Sequence, residues 1–330
     1  MKFGVLLDHQ YPKHDDLGQR LDELVEITET ARDLGFDSLF GIHHFLATLR
    51  TPQPFQVLAR LIPHSGRMSL GTGIYVATLA HPVQIAEETA TLDQLSDGRL
   101  IFGVGAGYRD DEFDSFGIDR TTRGARLTET LELVRTLWSG ETIDHRGEHF
   151  RVQGQQLSVL PVQRPRPPIW IGANAPKTIR RAAHIGDAWV ASPNVKARWA
   201  KGNLANFREE LEATGQPADA REYPILRELF VDESDEAAYR RAVPYLNDEY
   251  QSYAEYDLDY FRSMFDDLRA KAFMVGSPDT VAERITDLAE AGFNHFIFRV
   301  FWSGMPKELT IESLQRFATE VMPRFEDPAA

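Results

Sequence analysis

The sequence predicts an α/β fold, a (β/α)8 barrel of the TIM type, as one domain with insertions over residues 1–330. Short apolar runs alternate with helical stretches from one end of the chain to the other, eight units in all. The runs themselves, such as KFGVLLD, are too apolar for a strand with one wet face, as expected of a parallel sheet covered on both sides. No linker divides the chain, and its length suits a barrel, which commonly takes about 250 residues or more. An open, doubly wound sheet in two domains is the alternative arrangement.

Each unit has its own justification. Residues 2–8 form the first strand, and Leu17, Leu21, Leu24, Ile27, Ala31 and Leu34 then recur at helical spacing up to Gly35, a C-cap residue. Ser38–Ile42 is the second strand, followed by a helix around Pro54–Ile62. Met68–Ala77 is the third, followed by a helix over Pro82–Leu95 that opens on a proline suited to the first turn. Arg99–Val104 is the fourth strand, and a long amphipathic helix, Thr121–Trp138, follows a charged loop. Pro161–Pro168 (PVQRPRPP) lacks backbone donors and is an extended connector. Then come strand Ile169–Ile171, helix Pro176–His184, strand Ala188–Ala191, helix Ala197–Ala213, strand Tyr223–Val231, a helix from Glu236, strand His295–Phe301 and a last helix from near Ile311. Asn247–Lys271 breaks the rhythm with Tyr250, Tyr253, Tyr256, Tyr260, Phe261 and Phe265 among acids. It is either a surface helix docking by an aromatic stripe or a mobile lid.

Composition excludes whole classes of function. The chain has no cysteine, so disulfides, thiolate nucleophiles and cysteine-ligated metals are out. A net charge of −14 repels phosphate backbones, and no basic patch offsets it, so nucleic acid is not an expected partner. No apolar run nears the roughly 20 residues a membrane helix needs. The apolar part of MKFGVLLDHQ is too short for a signal peptide, which leads us to expect a soluble cytoplasmic enzyme.

In a barrel the reactive groups sit at the C-terminal strand ends, here Asp8–His9, His43–Phe45, Tyr75–Ala80, Gly105–Tyr108, Gly172–Asn174, Ser192–Asn194, Arg227–Glu228 and Arg299–Trp302. His43 and His44 follow the second strand, and imidazole titrates near neutrality, so either can exchange a proton. A bland reading has one of them only bonding a loop. A metal site lacks a companion carboxylate cluster, and neighbouring residues on a strand face opposite ways. Gly103, Gly105 and Gly107 either admit a bulky ligand or make room for packing. They are not a dinucleotide fingerprint, because the third glycine comes one residue early. Gly172–Thr178 opens a helix, and its free N–H groups with Asn174 and Thr178 form either a phosphate cradle or an ordinary cap.

Three stretches carry a family resemblance: GFDSLFGIHHF, LGTGIYVATLAHP, and AEETATLDQLSDGRLIFGVGAGYRDDEFDSFGID. The chain resembles the bacterial luciferase-like, flavin-dependent monooxygenase superfamily. The likeness resumes in GEHFRVQGQQLSVLPVQRPRPPIWIGANAPKTIRRAAHIGDAW, VGSPDTVAERITDLAEAGFNHFIF and LQRFATEVMP, missing only Asn203–Tyr223 and the aromatic segment. It implies reduced FMN bound at the strand ends, usually in a dimer. It also implies a cis peptide at Gly73–Ile74 under the ring, and His43, the first of the pair, as the acid/base residue with His44 beside it. Flavin contacts fall on Gly105, Ala106, Gly107 and Tyr108, and the phosphate turn on Gly172, Ala173, Asn174, Ala175 and Thr178. Two positions depart from luciferases. Ile42 stands where they have Glu, and Ala106 where an Arg meets the phosphate, so Lys177, Arg109 or another basic group has to compensate.

The reaction so implied is monooxygenation of a small organic substrate by reduced FMN and dioxygen, the flavin coming from a separate NAD(P)H-dependent reductase. Phe45, Tyr75 and Trp302 are the expected pocket walls. The rivals are a deazaflavin-dependent oxidoreductase transferring hydride, a non-catalytic flavin-binding protein and, more remotely, a metal-dependent hydrolase. A homodimer would use the helices at 53–63 and 82–95, whose apolar residues are Leu58, Leu61, Ile62, Ile85, Leu92 and Leu95.

Overall fold

The structure, a computed structural model, describes residues 1–218, 221–254 and 272–326. Strands β1 (Lys2–Leu7), β2 (Ser38–Gly41), β3 (Ser69–Thr72), β5 (Leu100–Gly105), β8 (Ile169–Gly172), β9 (Ala188–Val190), β10 (Pro224–Val231), β11 (Met274–Gly276) and β12 (His295–Arg299) build one curled sheet, with β4 (Tyr75–Val76) beside β5. Their order is β11-β10-β12-β1-β2-β3-β5-β8-β9, and each neighbouring pair is parallel. The curl brings β9 back to β10 through a parallel bridge between Ala191 and Ile225, where Leu226 N–H donates to Ala191 O at 2.9 Å.

Pleat alternation sorts the side chains. Leu6, Phe40, Ile42, Ile101, Trp170, Ala188, Val190, Leu226 and Ile297 meet in one cluster on the concave face. Their neighbours Val5, Leu39, Phe102, Ile171, Trp189, Ile225 and Phe298 belong to the larger cluster shared with the helices.

Those helices are α1 (Leu17–Asp33), α2 (Pro54–Leu61), α3 (Pro82–Leu95), α4 (Asp110–Phe116), α5 (Arg123–Trp138), α6 (Pro176–Ile185), α7 (Ala197–Ala213), α8 (Asp235–Ala254), α9 (Pro278–Ala289) and α10 (Lys307–Arg316). Local chemistry sets their ends. Asp16 and Ser277 cap α1 and α9, accepting from Gln19 N–H and Thr280 N–H. Gly117, at φ 65°, ends α4 in the left-handed conformation that suits glycine.

All eight strands expected from the sequence are present, and the differences are local. The stretch 68–77 is two strands, parted at Gly73–Ile74, where the peptide is cis. The charged loop after β5 contains α4, whose first turn, Asp110-Asp111-Glu112, complements the helix dipole. A hairpin, β6 (Ile143–Arg146) with β7 (Arg151–Gln155), and the three-residue β11, which lies in the short apolar run Ala272–Val275, are additional to the eight expected strands. Most of the aromatic stretch expected at 247–271 lies outside the described residues.

The helices expected at a dimer contact pack largely on their own sheet. Leu58, Leu61, Ile85 and Leu92 are buried within the chain, while Leu95 is exposed. Among the described residues, no helix is long and apolar enough to cross a membrane.

Candidate functional site

The C-terminal strand ends form a mouth with two dissimilar sides. On the β1, β10 and β12 side, Asp8, Glu228 and Arg299 point inward and are buried. Arg299 donates to Asp8 (2.8 Å), to Glu228 (2.6 Å) and to Glu249 of α8 (3.2 Å). Glu228 also accepts from Tyr250 Oη at 2.8 Å and from Trp302 Nε1 at 2.7 Å. Trp302 is thus a fully buried member of a charged cluster and not an open pocket wall. The expectation had marked these strand ends without joining them, because the partners lie up to 291 positions apart in sequence.

On the other side, the tips of β3, β5 and β8 remain half open. Gly73, Ile74, Ala106, Gly107, Gly172 and Ala173 are partly exposed, and Tyr108, Asn174 and Ala175 are exposed. Ile74 is seated between two glycines. A Cβ on Gly105 would lie 2.6 Å from Ile74 Cδ1, and one on Gly172 would lie 3.0 Å from Ile74 Cγ2. These glycines therefore make room for Ile74, whose side chain forms an apolar ledge. Gly107 has φ 74°, the left-handed region, so its backbone conformation also favours glycine.

The expected phosphate turn is present as a helix start. Ala175 is the N-cap of α6 and offers no side-chain cap bond; Pro176 has no N–H and the Thr178 N–H donates to Ala175 O at 2.9 Å, which leaves the Lys177 N–H as the first-turn donor for an anion. Thr178 turns back, its hydroxyl donating to Ala175 O at 2.8 Å. Lys177 is exposed beside this turn. Arg109 is buried, with Nη2 on Asp111 at 2.6 Å and Nη1 3.6 Å from Glu112. Lys177 is therefore the better placed of the two to compensate for Ala106. A tricyclic ring on the Ile74 ledge with its phosphate at α6 is compatible with these residues.

The histidine pair, just past the end of β2, separates. His43 is buried in the outer layer, its ring flat against Tyr75 with centroids 4.3 Å apart and planes at 7°. Its Nδ1 accepts the Val76 N–H at 3.0 Å, and its Nε2 donates to Gln53 Oε1 at 2.9 Å. Gln53 is oriented for this by its own donation to His44 O at 3.2 Å. Burial pushes the His43 imidazole down to about 3, so it is neutral over the working pH range. Tyr75, itself buried between His43 and Phe55, belongs to this layer and lies away from the open surface. Phe45 is half-buried, edge-on to His43 and beside Phe116.

His44 takes the other direction, with Nδ1 3.2 Å from Glu112 Oε1 and its ring edge-on to Tyr108. Glu112 and Gln53 were not singled out from sequence. Glu112 lay in view within the DDEF stretch that carries the resemblance. No group of three or more His, Asp or Glu suited to a metal occurs among the described residues.

A parallel, curled α/β sheet with a half-open glycine-lined ledge and an imidazole at its strand ends is an arrangement compatible with a flat redox cofactor. The chain belongs to the luciferase-like monooxygenase family, whose sequence profile matches residues 1–295. It is 27% identical over 349 residues to the oxygenase component of the flavin-dependent trigonelline monooxygenase of Acinetobacter baylyi, covering 99% of this chain and 96% of that one. It is 25% identical over 319 residues to the F420-dependent glucose-6-phosphate dehydrogenase of Amycolatopsis mediterranei, covering 92% and 94%. Among solved structures, the monooxygenase RslO1 of Streptomyces bottropensis superposes with a TM-score of 0.88 at 25% identity, covering 99% of this chain and 100% of that one.

Proposed function

We propose that this protein is the oxygenase of a two-component flavin-dependent monooxygenase, acting on a small organic substrate at the mouth of a (β/α)8 barrel. The observation that carries the reading is the partly exposed Ile74 ledge between Gly105 and Gly172 at the strand ends, followed along the chain by the α6 start. Reduced FMN, when bound there, would supply two electrons to dioxygen, so that one oxygen atom enters the substrate and the other leaves as water.

The chain's own residues do the rest. Ile74, Ala106, Gly107 and Ala173 would support the ring, and Asn174, Ala175 and Lys177 would receive the phosphate. Phe45 would close an apolar wall, and the His43–His44 pair supplies an imidazole for proton exchange. Exclusion of water from this pocket would protect the reactive flavin. An NAD(P)H-dependent flavin reductase is the proposed partner in turnover, and a homodimer is the proposed assembly. The similarity to a flavin-dependent oxygenase component supports the reductase requirement.

The test is anaerobic titration of the purified protein with reduced FMN and, separately, reduced F420, followed by addition of oxygenated buffer. Tight binding of reduced FMN with oxygen uptake is expected. Preference for F420 without oxygen uptake would replace the reading by hydride transfer, and binding of neither would end it.

A further inference from the structure

The two histidines that end β2 occupy different chemical situations, and the pleat explains why. Phe40 and Ile42 lie in the concave cluster, and Ser38 bonds the inward-facing His295 at 2.7 Å. One further step along the alternation sends His43 to the outer layer, where both its ring nitrogens are engaged. The next residue, His44, turns instead to Glu112 and to Tyr108, which follows β5.

There Glu112 Oε1 meets His44 Nδ1 at 3.2 Å and also accepts the Phe45 N–H at 2.9 Å. A carboxylate only accepts, so the proton of the neutral imidazole sits on Nδ1 and Nε2 keeps its lone pair. Nε2 has no hydrogen-bond partner among the described residues, and it is absent from the sealed, unpartnered buried atoms. The side chain retains 14% exposure, whereas that of Glu112 is 1% exposed. Glu112 is held by its place in the first turn of α4 and by Arg109 3.6 Å away. The charged or titratable groups around His44 are Glu112, Arg109, Tyr108, His43 and His9.

We propose that Glu112 is a positioning residue that fixes His44 with a bare Nε2 toward the mouth, so that His44, and not His43, exchanges the proton during turnover. This rests on the functional reading above, but its structural half is testable without any flavin. If Glu112 only ties the loop at 43–46 to α4, the His44 tautomer does not depend on the carboxylate.

Long-range ¹H–¹⁵N imidazole spectra of the flavin-free protein, assigned with His44→Asn, read the tautomer directly. We expect a protonated Nδ1 on His44 in the wild type, a population protonated at Nε2 in Glu112→Gln, and the wild-type form retained in Glu112→Asp. Diethyl pyrocarbonate, which acylates a bare imidazole nitrogen, should modify His44 at least about tenfold faster than His43, whose nitrogens are both engaged. Saturating FMN should slow the His44 reaction by a similar factor. A wild-type His44 protonated at Nε2, a tautomer unmoved in Glu112→Gln, or His43 reacting first would overturn the inference even if flavin binds and turns over. FMN binding without protection of His44 would also overturn it. Failure to bind any flavin or deazaflavin would refute the functional reading, while the tautomer measurement would still decide the role of Glu112.

Discussion

Acidification should destabilise this protein well above the pH at which carboxylates protonate, and His43 with His9 are the reason. Burial pushes His43 down to about 3 and His9 down to about 4, against an ordinary value of 6.5. Below pH 6.5 the unfolded chain takes up protons at these positions that the folded protein refuses, so unfolding gains free energy as pH falls. The stabilisation is complete above 6.5 and is lost progressively down to the folded values near 3 and 4. Between pH 7 and pH 5, each histidine that stays neutral when folded costs about 2 kcal/mol, and the two together about 4 kcal/mol. That is a large share of the roughly 5–15 kcal/mol of a typical domain.

Urea unfolding at half-unit steps from pH 7.5 to 5 measures the slope. His43→Phe removes one titrating group while keeping a flat ring on Tyr75. It should be less stable at pH 7, because Val76 N–H loses its acceptor, and flatter by about 1.2 kcal/mol per pH unit between 6 and 5. An unchanged slope in the variant would refute a neutral, buried His43.

Other outcomes follow from the same geometry. Arg299→Met leaves Asp8, Glu228 and Glu249 without their shared arginine and should cost about 3–5 kcal/mol by urea unfolding, as breaking a buried ion pair does. Gly103→Ala would place a Cβ 1.9 Å from the Thr72 carbonyl oxygen, so it should destabilise by about 3 kcal/mol or more. Gly105→Ala presses instead on the far end of Ile74, and should weaken FMN binding with a melting temperature little changed. If α2 and α3 form the dimer contact, Leu95→Glu should shift sedimentation toward the monomer with secondary structure intact, because Leu95 is 57% exposed.

The barrel rhythm was legible because each strand is a dense apolar run and each helix shows its own period, both being local properties. The β6–β7 hairpin was not legible, because only Ile143 and Val152 of its nine residues are buried and no alternation emerges. β11 is three residues long and is held by its register with Leu229–Val231, which adjacent sequence does not reveal. At the site, the strand tips were predictable from the fold, but the partners of each tip residue were not. The choice between His43 and His44 depended on which face Ile42 took. That face becomes visible only when Leu6, Phe40 and Trp170 are seen to share one interior with it.

The contrast between the two sides of the mouth also constrains where a ligand enters. At the β1, β10 and β12 ends, Arg299 is already bonded to three carboxylates, and Tyr250 and Trp302 are bonded to one of them. A planar aromatic ligand placed there would have to break charge-assisted bonds and strand carboxylates in an apolar setting, a cost of several kcal/mol. At the β3, β5 and β8 ends, the exposed groups include the Ile74 side chain, glycine and alanine backbone, Tyr108, Asn174 and a helix start, none of them a paired charge. Covering the Ile74 ledge gains apolar burial, and an anion at α6 gains the Lys177 N–H and its ammonium group, so both contributions favour the same edge.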